Sequence, residues 1–415
     1  MVDIFRIAAR NLWRYQRRTL LTTVLISLGI VAVLLFVSVA GSFKAMIISQ
    51  ITDSMLGHLE VHRKGYVASI DNLPLNLNLK PPQMQQIEGA LKNLPAVEAW
   101  SARVKFGAMF SNFTDTTNIR LNGVDPEAEL RTVPLLRGRL IDSAKEGPLL
   151  AQGQIVIPEL LARGMKVKVG DTAVLVATNQ DGSVNGQKFI VGGILQSATG
   201  PGGRDGYLNI VDARRLLRMN TPEVSEVAIR LRSPTELRRT FSALNKELSA
   251  TVNPQGMPVL EVHTWEGLSP FANIARMIDL MTLFIQVMLI SIVLISIMNV
   301  MVMAVFERVR EIGTMAAIGT QPGRILGLFL AEGLLLGVLG TAAGTAISLA
   351  AIWALNTAKL TFAFGMQDNL VLAPTIGVRD VLFIGALAIA AAVLASLQPA
   401  FRASRMDPIQ ALRHV

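Results

Sequence analysis

The sequence contains no cysteine and carries little charge. Because none of its 415 residues is cysteine, a disulfide framework is excluded, and any domain outside the cytoplasm must be held by its apolar core alone. Only 17% of the residues are charged, against roughly 25% in typical soluble domains. Since 51% are hydrophobic, the composition favours a membrane protein.

A phosphate-binding loop is also missing. Such a loop requires the pattern G-x-x-x-x-G-K-[ST] between a strand and a helix, and the sequence contains no match. The glycine-rich stretch from Gly337 to Gly344 has no lysine and lies in an apolar run, where small residues allow close helix packing. No Ser/His/Asp or Cys/His constellation is recognisable either. We therefore predict no catalytic residue and no cofactor site in this chain.

A metal site is not predicted. His58 and His62 are four residues apart, a spacing that brings two ligands together on a helix. Here they lie in the alternating stretch His58-Leu59-Glu60-Val61-His62, which is typical of a strand and holds the two rings too far apart for one zinc ion.

Four long apolar segments are present, and each is close to the roughly 20 residues that cross a membrane. They predict spans at residues 19–40, 277–305, 325–355 and 379–398. The first run is longer than the roughly 7–15 residues of a signal-peptide core, so we expect a retained span.

The net charge of +9 is interpreted as a topology signal, because the basic residues lie beside the spans and no nucleic-acid motif accompanies them. Basic residues flank the first span at Arg6, Arg10, Arg14, Arg17 and Arg18, and the last at Arg402, Arg405 and Arg413. Positive residues near span ends stay on the cytoplasmic side. Both the basic segment 1–18 and the tail 399–415 should therefore be cytoplasmic.

One large outer domain is predicted between the first two spans, at residues 41–276. Alternating strand-like stretches and helical patches mix within it, which indicates an α+β domain. Residues 125–220 form a β-rich unit inserted between two flanking parts, 57–123 and 223–265, which we expect to pair with each other. The outer loop 356–378 is short.

The inner loop 306–324 carries the most specific motif. It contains Glu307-Arg308-Val309-Arg310-Glu311-Ile312-Gly313 and then Ala317-Ile318-Gly319, with Glu332-Gly333 further on. This pattern closely resembles the signature of the MacB/LolC/LolE/FtsX superfamily of ABC-transporter permeases. The opening from Ala9 to Arg14 and the ending from Pro399 to Arg413 are similar to the same family, as are Val169-Gly170-Asp171 and Val191-Gly192-Gly193-Ile194 in the outer domain.

The resemblance implies a bacterial inner-membrane permease with a MacB-like periplasmic core domain and an FtsX-like transmembrane domain. It implies a homodimer or related heterodimer, bound to a separate cytoplasmic ATPase that carries the ATP and Mg²⁺. ATPase closure would move the periplasmic domains, a scheme called mechanotransmission. Lipoprotein, lipid or other hydrophobic cargo is one expectation, with a lipoprotein carrier as a further partner. Export with an adaptor and outer-membrane duct, and FtsX-like regulation of a cell-wall hydrolase, remain alternatives.

The inner loop is the expected ATPase-coupling site, because its charged residues have the spacing of a short amphipathic helix that could enter a groove of a soluble partner. Anchoring of the span at the lipid headgroups is the alternative. The expected coupling residues are Glu307, Arg308, Arg310, Glu311, Ile312, Gly313, Ala317 and Gly319.

Two polar residues lie inside predicted spans. Glu332 either takes part in transmission or, as we favour, contacts basic residues near the inner surface. Asn299 is expected to form an interhelical hydrogen bond rather than line a substrate route.

Overall fold

The chain forms two compact units in the computed structural model. The structure describes the backbone of residues 2–143, 150–364 and 367–407, and the side chains of 4–142, 150–362 and 371–407. The helical unit comprises Met1–Ala45, Arg276–Phe362 and Val371–Val415, and the sheet unit comprises Met46–Ala275 and Ala363–Leu370. The last part of the ending that resembles the permease family, from Pro408 to Arg413, lies outside the described residues.

The α-helices comprise four long apolar helices and several short ones. In chain order they are α1 (Val2–Arg14), α2 (Gln16–Ile51), α3 (Pro81–Lys92), α4 (Pro126–Thr132), α5 (Glu159–Gly164), α6 (Ile210–Leu216), α7 (Leu237–Leu248), α8 (Trp265–Leu268), α9 (Phe271–Glu307), α10 (Val309–Ala317), α11 (Pro322–Ala358) and α12 (Val378–Ser404). A π-helical turn at Thr52–Leu56 follows α2, and short 3₁₀ segments occur at Val67–Asn72, Leu75–Leu77, Pro134–Arg139 and Pro234–Glu236.

Four helices of the described chain are long and apolar enough to cross a membrane. They are Gln16–Leu56, which joins α2 to the π-helical turn, and α9, α11 and α12. Their inward faces share one hydrophobic core, which includes Ile30, Ile297, Phe329 and Ala392. The four predicted spans are thus present as helices.

Small residues on α11 allow the neighbouring helices to approach closely. A methyl group at Gly344 would lie 2.8 Å from Cβ of Ile30 on α2, and one at Gly337 would lie 2.8 Å from Cβ of Ala392 on α12. The Ser27 hydroxyl donates to the carbonyl of Gly340 at 3.0 Å. The glycine-rich stretch is therefore a packing surface between spans.

The sheet unit contains one large mixed sheet. Its strands are β1 (Leu59–Arg63), β2 (Val97–Ser111), β3 (Thr116–Val124), β4 (Leu140–Ser143), β5 (Gln154–Pro158), β6 (Thr172–Thr178), β7 (Val184–Leu195), β8 (Gly206–Asn209), β9 (Glu226–Leu231) and β10 (Leu260–Thr264). The strand order is β10-β1-β9-β2-β3-β8-β5-β7-β4, and β6 pairs with both β2 and β7. Two further strands, β11 (Thr361–Phe364) and β12 (Gln367–Val371), pair with each other.

Strands that are distant in sequence pair at one side of this sheet. Strand β1 pairs antiparallel with both β9 and β10, and β2 pairs antiparallel with β9. The two parts that flank residues 125–220 therefore share a sheet. The same sheet continues into the intervening region through β3 with β8 and β2 with β6. The predicted class, four spans with an α+β outer domain, is confirmed, while the division into two subdomains stays a prediction.

Candidate functional site

The inner loop folds into one short helix, α10, whose start is set by a break in the backbone. Helix α9 ends at Glu307, and Arg308 has φ −112° and ψ 18°, outside the helical range, before α10 begins at Val309. Because Arg308 occupies the break, its side chain can turn inward while the chain changes direction.

The end of α10 is closed by a Schellman motif. The Gly319 N–H donates to the carbonyl of Ala316 and the Thr320 N–H donates to that of Met315, both at 3.0 Å. Gly319 has φ 88°, a left-handed conformation that glycine adopts without steric cost. Helix α10 is therefore a separate nine-residue element with both ends defined.

Arg308 is the centre of a buried polar network. Its Nη1 donates to Oε1 of Glu332 at 2.8 Å, and its Nε donates to Oε2 of Glu311 at 2.9 Å. Asn11 Nδ2 also donates to Oε1 of Glu332, at 2.9 Å, and the Tyr15 hydroxyl donates to Oε1 of Glu311 at 3.0 Å. One guanidinium thus connects α1 and the turn after it with α10 and α11.

The pair formed by Arg308 and Glu332 lies in a nearly dry environment. Glu332 is fully buried and Arg308 is 4% exposed, while the Arg308 guanidinium lies 5.6 Å and 5.7 Å from the ring centres of Tyr15 and Phe329. Arg18 lies 4.0 Å from the second Glu332 oxygen. A buried carboxylate of this kind is tolerated in a span because it is paired with cations near the span end.

Electrostatics keep Arg308 and Glu311 charged. Burial by itself lowers the pKa of Arg308, but Glu332 and Glu311 oppose this effect, and the pKa lies above its ordinary value. Burial raises the pKa of Glu311, but hydrogen bonds from Arg308 and Tyr15 outweigh it, so that this pKa lies below its ordinary value. The contact between Arg308 and Glu311 is therefore an ion pair at neutral pH.

The expected coupling residues divide into an inward and an outward group. Arg308, Ile312 and Gly313 are buried, and Glu311 is partly buried. The exposed members are Glu307, Arg310, Ala317 and Gly319.

The outward face of α10 also contains two residues that the motif did not single out. Thr314 is exposed and follows Arg310 by one helical turn, and Ile318 is 78% exposed at the end of the helix. Arg310, Thr314, Ala317 and Ile318 fall on one side of a helix by their spacing. This exposed side of α10, called here the α10 face, has a cation at one end and an apolar side chain at the other.

The sequence predicted the contacts of the other polar residues only in part. Glu332 contacts Arg308 and lies 4.0 Å from Arg18, as in the structural contact with basic residues that we favoured. Asn299 is exposed on α9 and forms no side-chain hydrogen bond within the part of the chain that the structure describes. Asn11 and Tyr15 were missed, because no local pattern shows that they lie beside residues some 300 positions away.

A second buried charge cluster lies in the sheet unit and is centred on Arg103 of β2. Its guanidinium lies 2.7 Å from Glu129 on α4, 3.1 Å from Glu226 on β9 and 3.7 Å from Glu60 on β1. Lys105 Nζ lies 2.9 Å from the same Glu226 oxygen. Three carboxyl groups therefore face two cationic side chains in a closed core.

His62 belongs to this cluster, whereas His58 does not. His62 Nε2 lies 3.4 Å from carboxylate oxygens of both Glu60 and Glu226, and these three side chains could in principle surround a metal ion. Both carboxylates already face Arg103 or Lys105, which favours an ion-pair cluster over a cation site. His58 instead accepts a hydrogen bond from the Leu231 N–H at 3.2 Å.

The carboxyl groups of this cluster differ in acidity. Burial, followed by the neighbouring Glu226, raises the pKa of Glu60 to about 7. Burial acts on Glu226 in the same direction, but Lys105, His62 and Arg103 outweigh it and hold its pKa well below the ordinary value. Glu226 is thus the permanently charged partner of the two cations, and Glu60 gains or loses a proton near neutral pH.

Comparison with protein families assigns two domains. Residues 19–247 match the MacB-like periplasmic core domain, and residues 283–408 match the FtsX-like permease C-terminal domain. Together the two matches take in most of α2, all of α10 and the sheet unit as far as residue 247.

Similar curated proteins are bacterial membrane transport subunits. The chain is 25% identical over 284 residues to the lipoprotein-releasing system transmembrane protein LolC of Haemophilus influenzae, covering 66% of this chain and 68% of that protein. It is 22% identical to LolC of Neisseria meningitidis, with 94% and 92% covered. It is 25% identical to the pyoverdine export ATP-binding/permease protein PvdT of Pseudomonas putida, with 99% of this chain and 60% of that protein covered.

Two solved structures show distant similarity. One is the extracellular domain of the transporter YknZ from Gram-positive bacteria, with a TM-score of 0.34, 16% identity, and 50% of this chain and 99% of that chain covered. The other is the periplasmic region of MacB from Actinobacillus actinomycetemcomitans, with a TM-score of 0.35, 9% identity, and 51% and 89% covered.

Proposed function

Because this chain belongs to the family of ABC-transporter permeases with a MacB-like periplasmic core domain and an FtsX-like permease domain, we propose that it works by mechanotransmission. In this proposal a separate ATPase binds and hydrolyses Mg-ATP. Its motion reaches the periplasmic domain through the permease, which has no catalytic role of its own. A second permease copy, identical or related, completes the machine.

The α10 face is the observation that carries this proposal. It presents Arg310 and Ile318 to solvent at a loop between two spans, while Arg308 fixes the helix from behind through Glu311 and Glu332. A short helix held rigidly at its base suits helix-in-groove recognition, in which little ordering entropy remains to be lost on binding.

The lengths of α2 and α9 support transmission along helices. They contain 36 and 37 residues, which corresponds to about 55 Å at 1.5 Å per residue. The hydrocarbon core is about 30 Å thick. Each helix is thus long enough to continue beyond the membrane as a stiff rod.

The cargo we propose is a lipoprotein, a lipid or another hydrophobic molecule moved toward the outer membrane. Support comes from the LolC relatives, which are components of lipoprotein-releasing systems by name. Export of a small molecule is the second candidate, because the similarity to the pyoverdine exporter extends over 99% of this chain.

Topology offers a direct test of the proposed orientation. Because basic residues flank the first and last spans, we expect reporters fused after Val415 or inserted at Gly319 to be cytoplasmic, and one inserted at Gly182 to be periplasmic. Paired alkaline-phosphatase and fluorescent-protein fusions measure this. A cytoplasmic signal at Gly182 would overturn the arrangement.

The docking role is tested by changing the α10 face. We expect Arg310→Glu combined with Ile318→Asp to reduce the affinity for the partner ATPase at least tenfold, because a reversed charge and a desolvated carboxylate would enter the partner's groove. Copurification and permease-dependent stimulation of ATP hydrolysis measure the effect, with the ATPase found beside this gene or captured with the wild-type chain.

A matched control changes the same chemistry elsewhere. Arg239 and Met257 are exposed in the sheet unit, so Arg239→Glu with Met257→Asp should leave ATPase affinity unchanged. Glu311→Lys is a less specific probe because it also breaks the contact with Arg308. If the Arg310/Ile318 variant bound and stimulated the ATPase like wild type, the α10 face would have no docking role.

A further inference from the structure

An open apolar groove lies in the helical unit beside the turn between α1 and α2. It has a volume of about 610 Å³ and is lined by side chains of α1, the first two turns of α2 and the middle of α11, among them Leu12, Trp13, Leu20, Leu335 and Leu339. This volume is within the roughly 300–1,000 Å³ of typical small-ligand sites. The groove therefore has the size and apolar character of a site for part of a lipid.

The groove exists because α1 packs on α11 along only one side. Ala8 of α1 is buried against Leu328 and Ala331 of α11, and the chain then turns at Tyr15 into α2. Trp13 and Leu20 are left 78% and 66% exposed at this turn. An exposed tryptophan beside an apolar surface is typical of the membrane interface.

Uncompensated positive charge lies next to the groove. Arg6 and Arg10 are exposed one turn apart on α1, and Arg17 is exposed in the first turn of α2. None of the three forms an ion pair within the part of the chain that the structure describes, unlike Arg18, which lies 3.6 Å from Glu307. The sequence has no acidic residue between Ile4 and Thr52. Arg10 and Arg17 directly follow the lining residues Ala9 and Gln16, so the groove is flanked by cations that no described acidic side chain neutralises.

We propose that this groove binds an anionic phospholipid of the inner leaflet, with an acyl chain along the apolar wall and the headgroup phosphate against Arg6, Arg10 and Arg17. Guanidinium groups pair with phosphate through two parallel hydrogen bonds. Basic residues at a membrane surface contribute about 1 kcal/mol each to binding of anionic lipid. A zwitterionic lipid offers the same chains but no net charge, so the site selects by headgroup charge. The assignment to the inner leaflet rests on the orientation proposed above.

The binding is tested with Trp13 as the reporter. Full-length chain carrying Trp100→Phe, Trp265→Phe and Trp353→Phe is placed in nanodiscs of phosphatidylcholine that contain a small fraction of brominated phosphatidylglycerol or, separately, brominated phosphatidylcholine. Bromine quenches tryptophan at contact distance. We expect brominated phosphatidylglycerol to quench Trp13 at least threefold more strongly at equal fraction.

Two changes should remove this preference. Replacing Arg6, Arg10 and Arg17 with glutamine should reduce quenching by brominated phosphatidylglycerol to the phosphatidylcholine level, whereas the same change at the exposed residues Arg218, Arg238 and Arg239 of the sheet unit should not. High salt should weaken the preference in the unmodified groove by screening the phosphate contact, which tests the inference even if the groove variant fails to fold.

A second reporter shows whether the effect is local. Trp353 is 70% exposed on α11 but does not line the groove, so a chain with Trp353 as its only tryptophan should be quenched equally by both lipids. Equal quenching of Trp13 by the two lipids would overturn the inference, because the groove would then ignore headgroup charge. Absence of quenching by either would also overturn it, since a second copy of the chain or another protein would cover the groove. Either failure is distinguishable from failure of the proposed function, because ATPase binding is measured at Arg310 and Ile318.

Discussion

The Glu332→Ala variant is expected to lower the free energy of unfolding of the helical unit by about 3–5 kcal/mol, because it removes the buried partner of Arg308 and leaves that buried guanidinium only the partly exposed Glu311. Arg308 is 4% exposed and donates to Glu332 at 2.8 Å. For a unit of this size the loss corresponds to a fall of roughly 6–20 °C in melting temperature. The melting temperature is measured by heating the full chain in detergent and monitoring the remaining folded protein by size-exclusion chromatography.

Two comparisons make this result specific. Glu307 is also acidic and lies 3.6 Å from Arg18, but its side chain is 45% exposed, so Glu307→Ala should cost no more than about 1 kcal/mol. Replacing both partners, as Arg308→Met with Glu332→Leu, should recover much of the lost stability, because no buried charge then stays unpaired. A double variant as unstable as Glu332→Ala would show that the pair does not act as a unit.

The Glu60→Gln variant is expected to be more stable than wild type at pH 8, by on the order of 3 kcal/mol. The pKa of Glu60 is raised to about 7 by burial and by Glu226, so folding favours its protonated form. Its contribution to stability is fully present below about pH 4.5 and is lost as the pH rises through 7. Glutamine keeps the neutral form at every pH.

Thermal unfolding between pH 5 and pH 8 measures this difference. The emission of Trp265, which is 5% exposed in the sheet unit, follows unfolding of that unit. Wild type and Glu60→Gln should converge near pH 5 and separate toward pH 8. Below about pH 4.5 both should lose stability, because Lys105, His62 and Arg103 outweigh burial and keep Glu226 charged in the folded protein, whereas Glu226 of the unfolded chain takes up a proton.

The control is a carboxyl group without a buried partner. Glu247 is exposed on α7, and Glu247→Gln should leave stability within about 0.5 kcal/mol of wild type at each pH. If Glu60→Gln followed the wild-type curve at every pH, Glu60 would not titrate in this range.

The sequence by itself determined the spans, the fold class and the family. Each apolar run is continuous along the chain, and a bilayer requires about 20 such residues whatever they contact. The motif from Glu307 to Gly319 was also visible because it is local, and its spacing predicted a short helix. The structure placed α10 from Val309 to Ala317, within that segment.

Only the tertiary structure decided which charged residues face inward. Arg308 and Arg310 are two positions apart and chemically identical, yet one is buried against Glu332 and the other is exposed. The sequence assigned both to docking. The difference arises from the break at Arg308, which directs its side chain toward Glu332 and Tyr15. Asn11 and Tyr15 reach the same network through hydrogen bonds to Glu332 and Glu311, which helix packing brings together over separations of about 300 residues.

The cluster around Arg103 was invisible in the sequence for the same reason. His58 and His62 attracted attention because they are close along the chain, but His62 belongs with Glu60 and Glu226, and His58 with Leu231. The alternation of a strand shows only which of its own residues share a face. Which strand lies beside it is decided by β1 pairing with β9, some 165 residues later. Burial and charge pairing depend on that neighbour, so the pKa of Glu60 is a property of the sheet and not of its local sequence.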